Sequence, residues 1–368
     1  MFLAFLLALL EGQLQALAIV GTVIGYVLVR TGFGFASGYR KLLEGESAGP
    51  VLAQAILLAF ATLAFAWAFS SGLPGGRSIE PTVMPFGPAL ALGAFLFGIG
   101  MQLAGGCGSG SLAGLGAGSG RMLGVLVFFI AGSFLGSLHW EWWQRWPAAP
   151  GISLAQGVGW AWAAAIQFAA IAVVAVLLAS RRFRAGHGPE RLVERLPGEA
   201  RFARPWPLAA AGILIPLLSL ATAWLAGHPW TITWGHTLVG AKAAGVLGWL
   251  PPPQGFWQLA FPSAALARPL LEDVTTVMDL AIVLGAAWAS LAMGRWRLRF
   301  DFRWRAWITA AVAGLLMGYG ARLSTGCNIG AFVVGVASTS AHGWIWIVFA
   351  IPGNFIGLRL ARRIEAAP

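Results

Sequence analysis

Gly98-Ile-Gly-Met-Gln-Leu-Ala-Gly-Gly-Cys107-Gly-Ser-Gly110 and Gly318-Tyr-Gly-Ala-Arg-Leu-Ser-Thr-Gly-Cys327-Asn-Ile-Gly330 share one pattern, G-x-G-x-x-L-x-x-G-C-x-x-G, around the two cysteines of the chain. The cysteines stand 327 − 107 = 220 positions apart, and the copies align without a gap. The chain therefore reads as a duplicated half. In each copy an apolar run breaks at Gly-Cys and resumes as a short apolar segment. In a membrane, such a break lets opposed half-helices present backbone groups, and here a thiol, to a central site.

Composition fixes the setting. With 58% hydrophobic and 10% charged residues and a mean hydropathy of +0.76, the chain cannot solvate a globular surface, and its apolar runs are long enough to cross a bilayer. It reads as an all-α integral membrane protein. The 50 glycines and 19 tryptophans suit that class, because glycine lets helices approach closely and tryptophan favours the interface. The net charge of +11 gathers in a few loops. That distribution sets topology and meets anionic lipid rather than nucleic acid. Two cysteines without C-x-x-C are too few for a four-ligand zinc site, and no metal or cofactor is expected. The apolar start Met1–Leu10 has no basic region before it and no small-residue cleavage site after it, so it is expected to remain in the mature protein.

Hydropathy predicts nine spans, near 13–30, 51–70, 88–104, 121–138, 157–180, 207–226, 274–293, 306–323 and 343–361. Short re-entrant pieces are expected at 109–118, 236–249 and 328–339. The most basic loops, 181–206 and 294–305, are expected in the cytoplasm, as are Arg30, Arg40 and Lys41 after the first span and Arg359, Arg362 and Arg363 at the end. The amino terminus is then outside the cell inner membrane and the carboxyl terminus inside. The first cysteine copy runs from Pro88, outside, to Arg121, inside, and the second from Arg305, inside, to His342, outside. The repeats are thus inverted. Residues 1–180 form the first, 181–206 a basic linker, and 207–368 the second. A gapped match of Phe35-Ala-Ser37…Arg40-Lys-Leu-Leu-Glu44 to Phe261-Pro-Ser263…Arg268-Pro-Leu-Leu-Glu272 extends the pairing.

A cysteine followed directly by a short helix has its sulfur near a helix amino terminus, where free N–H groups favour anions. Glycines around each break (Gly105, Gly106, Gly108, Gly110, Gly326, Gly330) let backbone approach a ligand. Arg322, inside an apolar run, is a costly and therefore functional candidate; its counterpart Gln102 is neutral but still a donor. The candidate translocation residues are Cys107, Cys327, Gly106, Gly108, Gly110, Gly326, Asn328, Gly330, Gln102 and Arg322. Inverted repeats bring equivalent positions to their axis, so the two cysteines are expected within one small anion of each other near the bilayer midplane. The alternative, cysteine as filler and glycine as packing device, suits one copy better than two. Glu11, Lys242, Asp279, Gln167 and Asn354 are isolated polar residues that read as anchors or helix–helix contacts, a pairing of Asp279 with Lys242 being open. His139, His228, His236 and His342 read as interface anchors beside tryptophans, and Trp140–Trp146 as an outer aromatic belt.

The paired motifs, with Arg30-Thr-Gly-Phe-Gly-Phe35 after the first span, resemble the YeeE/YedE family of sulfur-transport membrane proteins across essentially the whole chain. The resemblance implies an hourglass-shaped protein of inverted repeats that takes up thiosulfate through a narrow centre, its thiols passing the ion along by S–H···S hydrogen bonds. Cys107 and Cys327 match the two central family cysteines. A third family cysteine, in R-x-x-F-C-F, falls on Gly34, which leaves open a related sulfur or selenium species or a shorter relay. The family's usual partner is a small cytoplasmic TusA-like sulfurtransferase that would receive the sulfur; no such domain is expected within the chain.

Two other readings compete with a permease for a small sulfur-containing anion. A membrane thiol enzyme would cycle Cys107 and Cys327 through disulfide or persulfide, but C-x-x-C, haem and flavin signatures are missing. A structural subunit would use the cysteines only as filler. G-x-x-x-x-G-K-[ST] does not occur, so ATP hydrolysis by the chain itself is not expected.

Overall fold

The computed structural model describes residues 2–76, 79–184, 206–249, 251, 255–300 and 303–366. Residues 185–205 of the expected basic linker lie outside the described residues. The described chain is helical, with only isolated bridges between extended residues. Its first part contains α1 (Phe2–Leu9), α2 (Gln13–Thr31), α3 (Phe35–Leu43), α4 (Gly49–Ser71), α5 (Pro88–Ala104), α6 (Gly108–Gly116), α7 (Gly120–Leu138), α8 (Trp140–Gln144), α9 (Leu154–Val158) and α10 (Trp160–Arg184). Then come α11 (Leu208–Ala226), α12 (Thr233–Val246), α13 (Ala260–Ala267), α14 (Val274–Ala292), α15 (Trp304–Leu323), a π-helix at Asn328–Val333, α16 (Val334–Ala337) and α17 (Ala341–Ala366). Nine segments of 19–34 residues among those described are apolar and long enough to cross a membrane, as their hydropathy predicts. Glycine ends several of them: α2, α5 and α11 stop at Gly32, Gly105 and Gly227, whose φ of 64°, 77° and 80° reverses the chain without a Cβ penalty.

Packing reveals the inverted repeat. α5 lies along α17 as α15 lies along α7, and α2 lies along α14 as α11 lies along α4. Exchanging α2 with α11, α4 with α14, α5 with α15 and α7 with α17 maps each pair onto the other. The helices that pack on their own counterparts, α5 on α15 and α2 on α11, lie at the axis. There Gly93 abuts Gly320 while Gly100 abuts Ala313, so the equivalent helices run antiparallel. Each of these contacts becomes the other on a shift of 220 positions (313 − 93 and 320 − 100). Farther out, Gly98 abuts Ala350 and Asn354 as Gly318 abuts Phe129 and Ser133, with no room for a Cβ at either glycine.

In these outer pairs the register is 221 on the partner helix (350 − 129 and 354 − 133). One residue has entered the second copy after its cysteine. It falls in the short helix that follows, where Gly108–Gly116 is α-helical but Asn328–Val333 is π-helical, the form a helix takes when it absorbs an added residue. The left-handed turns before and after the short helices are kept in both copies. Gly105 and Thr325 have φ of 77° and 64°, and Gly118 and Thr339 have φ of 90° and 53°.

The gapped match of 35–44 to 261–272 is corrected. α3 packs on α4, α5 and α17, and its counterpart by packing is α12, which meets α14, α15 and α7. Phe261–Glu272 instead forms α13 and a 3₁₀ turn beside α12 and α14. The match reflects shared amphipathic composition, whereas equivalence is set by which helices each segment touches.

Candidate functional site

Cys107 and Cys327 occupy the same backbone position, capping α6 and the π-helix with φ of −85° and −100° and ψ of −169° and −166°. Each carbonyl accepts the first helical hydrogen bond, from Ser111 N at 2.8 Å and Ala331 N at 2.9 Å. Both thiols are free and 1% exposed. The Cys327 sulfur lies by the amides of Ile329 and Gly330, the unpaired donors of a helix first turn. The Cys107 sulfur is 3.4 Å from Ser109 Oγ.

Glycine brings the two breaks together. A Cβ on Gly108 would lie 3.5 Å from Cys327 Sγ and 3.6 Å from Ile232 Cγ2; one on Gly110 would lie 3.7 Å from Cys107 Sγ, and one on Gly330 3.8 Å from Thr231 Cγ2. The Cys327 sulfur thus stands against the glycine that follows Cys107, and this junction of the two breaks is termed the slot. Gly106 and Gly326 turn the backbone tightly ahead of each cysteine; a Cβ would come to 3.3 Å from the Gly110 carbonyl carbon and 2.8 Å from Ala331 N.

Beside the slot sit polar groups that the protein leaves unused. Asn328 is fully buried and neither its Oδ1 nor its Nδ2 has a hydrogen-bond partner. The Tyr39 hydroxyl, on α3, faces Asn328 and Cys107 but lies outside hydrogen-bonding geometry. Ser111 Oγ and Trp230 Nε1 are also without partners. Buried orphans cost about 1–3 kcal/mol each, and proteins keep them where a ligand or water completes them.

Gln102 and Arg322 are placed in the helix packing flanking the slot. Gln102 donates to the Ala36 carbonyl at 3.0 Å and Asn354 Oδ1 at 2.7 Å, tying α5 to α3 and α17. Arg322 lays its stem on Gly136, as Gln102 lays its Cβ on Gly357, and its guanidinium sits 4.7 Å from the Phe256 ring centroid. Four sequence readings change. His236 and His342 are not interface anchors: they are 4% and 0% exposed, His342 Nδ1 pairing with Ser340 Oγ at 2.7 Å. Asp279 faces His236 at 3.6 Å, while Lys242 donates to the Leu266 carbonyl at 2.8 Å. Arg30 is buried in α2 near the Tyr26 and Trp206 rings rather than loose in a loop. Tyr39, Trp230 and the His236–Asp279 pair went unseen as site neighbours because no local pattern links the short helices to the cysteine motifs.

A basic cavity of about 510 Å³ opens at one end of the bundle, lined by Leu103, Arg121, Arg303, Arg305 and Glu365 among others. Arg121 Nη2 donates to the Leu103 carbonyl at 2.6 Å, four residues before Cys107 at the end of α5. Arg40, Glu44, Arg362 and Glu365 form an ion-pair network on the same side.

The chain is similar to known proteins in sequence. The chain is 27% identical over 357 residues to the thiosulfate transporter TsuA of Spirochaeta thermophila, covering 92% of this chain and 96% of that one. It is 24% identical to TsuA of Escherichia coli over 91% of each, and 30% identical to the probable transporter YedE of Salmonella typhimurium over 42% of this chain and 37% of that one. Residues 30–356 match the family described as sulphur transport. The chain is a multi-pass membrane protein that belongs to the sulphur transport family.

Proposed function

We propose that the chain imports thiosulfate across the inner membrane by non-covalent passage between Cys107 and Cys327, not as an enzyme. The observation that carries this is the slot in which Cys327 Sγ faces Gly108, next to Cys107, with unpartnered Asn328 and Tyr39 beside it. Thiols, an amide and a phenol are neutral donors. They stabilise a dianion by hydrogen bonds without trapping it as an ion pair would, and passage needs binding weak enough for release. With glycine at position 34, Tyr39 and Asn328 would supply donors that a third thiol supplies elsewhere in the family. Two relatives named thiosulfate transporters, each matched over more than nine-tenths of its length, support the substrate.

The arginine-lined end supports a cytoplasmic carboxyl terminus and an outer amino terminus, since basic ends resist translocation. On this reading residues 1–180 and 207–368 are the two halves, joined by 181–206, and a TusA-like sulfurtransferase collects the ion at the basic cavity. The test is labelled-thiosulfate uptake by a host lacking its own importers. Expression of this chain is expected to restore uptake; no uptake from a correctly inserted protein overturns the reading.

A further inference from the structure

Asp279, on α14, is 8% exposed, and its Oδ1 has no hydrogen-bond partner. Its Oδ2 stands 3.6 Å from Nδ1 of His236 on α12, which is 4% exposed. The same Nδ1 faces the Ile232 carbonyl at 3.2 Å, and the imidazole stacks on Phe129 with centroids 4.7 Å apart. A carboxylate with a bare oxygen inside a spanning helix is costly unless it holds a proton or faces a cation. One proton shared by this pair meets either condition, as neutral His with AspH or as HisH⁺ with Asp⁻.

The pair adjoins the slot. Asp279 Oδ2 lies against Gly235, Ile232 packs at Gly108 beside Cys327, and Cys327 is within electrostatic reach of Asp279. The other charged neighbours are accounted for: Asp273, at the start of α14, caps Thr276 and accepts from Trp234 Nε1, and Lys242 of α12 is turned to Leu266. α7 contributes Phe129 and, through Thr237, Ser133, neither of them titratable in this range. In the other half the matching positions are neutral. Gln54 of α4 lies against Gly38 of α3 as Asp279 of α14 lies against Gly235 of α12, and Tyr39 follows Gly38 as His236 follows Gly235. Packing alone works with an amide, so the ionisable pair has another use.

We propose that His236 and Asp279 form a proton-binding site that couples anion entry to proton entry; this rests on the transport reading above. The pair takes a proton from the outer water, holds it while the anion crosses the slot, and releases it to the cytoplasmic water. No bond of the anion is broken. Each proton offsets one of the charges that a membrane potential, negative inside, opposes.

The test uses the purified full chain in liposomes containing a pH dye, with labelled thiosulfate outside. Thiosulfate is expected to acidify the lumen, and acid outside is expected to raise uptake several-fold. Asp279→Asn and His236→Gln are expected to lose both responses while thiosulfate still exchanges for thiosulfate, and Asp279→Glu to recover part. The wild-type responses decide the matter even if a variant fails to fold. Thiosulfate flux without acidification, flux driven instead by a sodium gradient, or acidification that survives in both folded variants overturns the coupling and leaves transport standing. No thiosulfate movement by the wild type overturns both.

Discussion

The sulfur of Cys327 lies 3.5 Å from the point where a Cβ on Gly108 would stand. One repeat thus leaves out a side chain where the other places its thiol. On the proposed route, the room beside the Cys327 thiol is set by this single residue.

Gly108→Ala should therefore retain most transport, because 3.5 Å is an ordinary van der Waals distance. Gly108→Val adds branches with nowhere to go but toward Sγ or Ile232, and should reduce uptake at least tenfold. Overpacking costs about 1–3 kcal/mol, so thermal stability in detergent is expected to fall only modestly. Full uptake by the valine variant would move the route away from this slot.

Cys107→Ala and Cys327→Ala should each reduce thiosulfate uptake by a factor on the order of 100, as loss of a buried donor to an anion costs about 3 kcal/mol. The serine variants should retain more, since a hydroxyl still donates. Labelled uptake measures both. Equal loss in serine and alanine variants would point to a persulfide or disulfide step, which needs sulfur itself.

Asn328→Leu removes two orphan polar atoms, and Tyr39→Phe removes one. Without ligand, each variant should be as stable as the wild type or more so, because an unpaired buried group is replaced by an apolar one. With thiosulfate, affinity should drop about tenfold, or ~1.4 kcal/mol per donor lost. Ligand-induced thermal shifts give both halves of this comparison, and unchanged affinity would return these residues to packing.

The spans and the doubled cysteine motif are legible in the sequence because apolar length and an ungapped repeat are local properties. The equivalence of α3 with α12 is not, because the loop before α12 is longer: α2 and α11 end at Gly32 and Gly227, while the short helices start at Phe35 and Thr233. Tyr39 consequently goes unnoticed and His236 reads as an interface anchor. The roles of Gln102 and Arg322 are legible only as costly polar residues, since their partners, Ala36, Asn354 and Phe256, lie far away in sequence.

The last expectation comes from the left-handed turn just before Cys327. Thr325 holds the left-handed conformation that Gly105 holds in the first copy, φ 64° against 77°, and β-branched residues pay about 1–2 kcal/mol for it. The strain persists because the turn is pinned: Ser324 Oγ donates to the Gly320 carbonyl at 2.8 Å and accepts from Trp346 Nε1 at 3.0 Å. Thr325→Gly should relieve the strain and raise the melting temperature in detergent. Gly105→Thr, where a Cβ meets nothing within 4 Å, should lower it through backbone strain alone. If the second turn is held taut to aim Cys327 and the π-helix at the slot, Thr325→Gly should also lower uptake while the protein becomes more stable. Stability and uptake rising together would show that the strain has no part in placing the thiol.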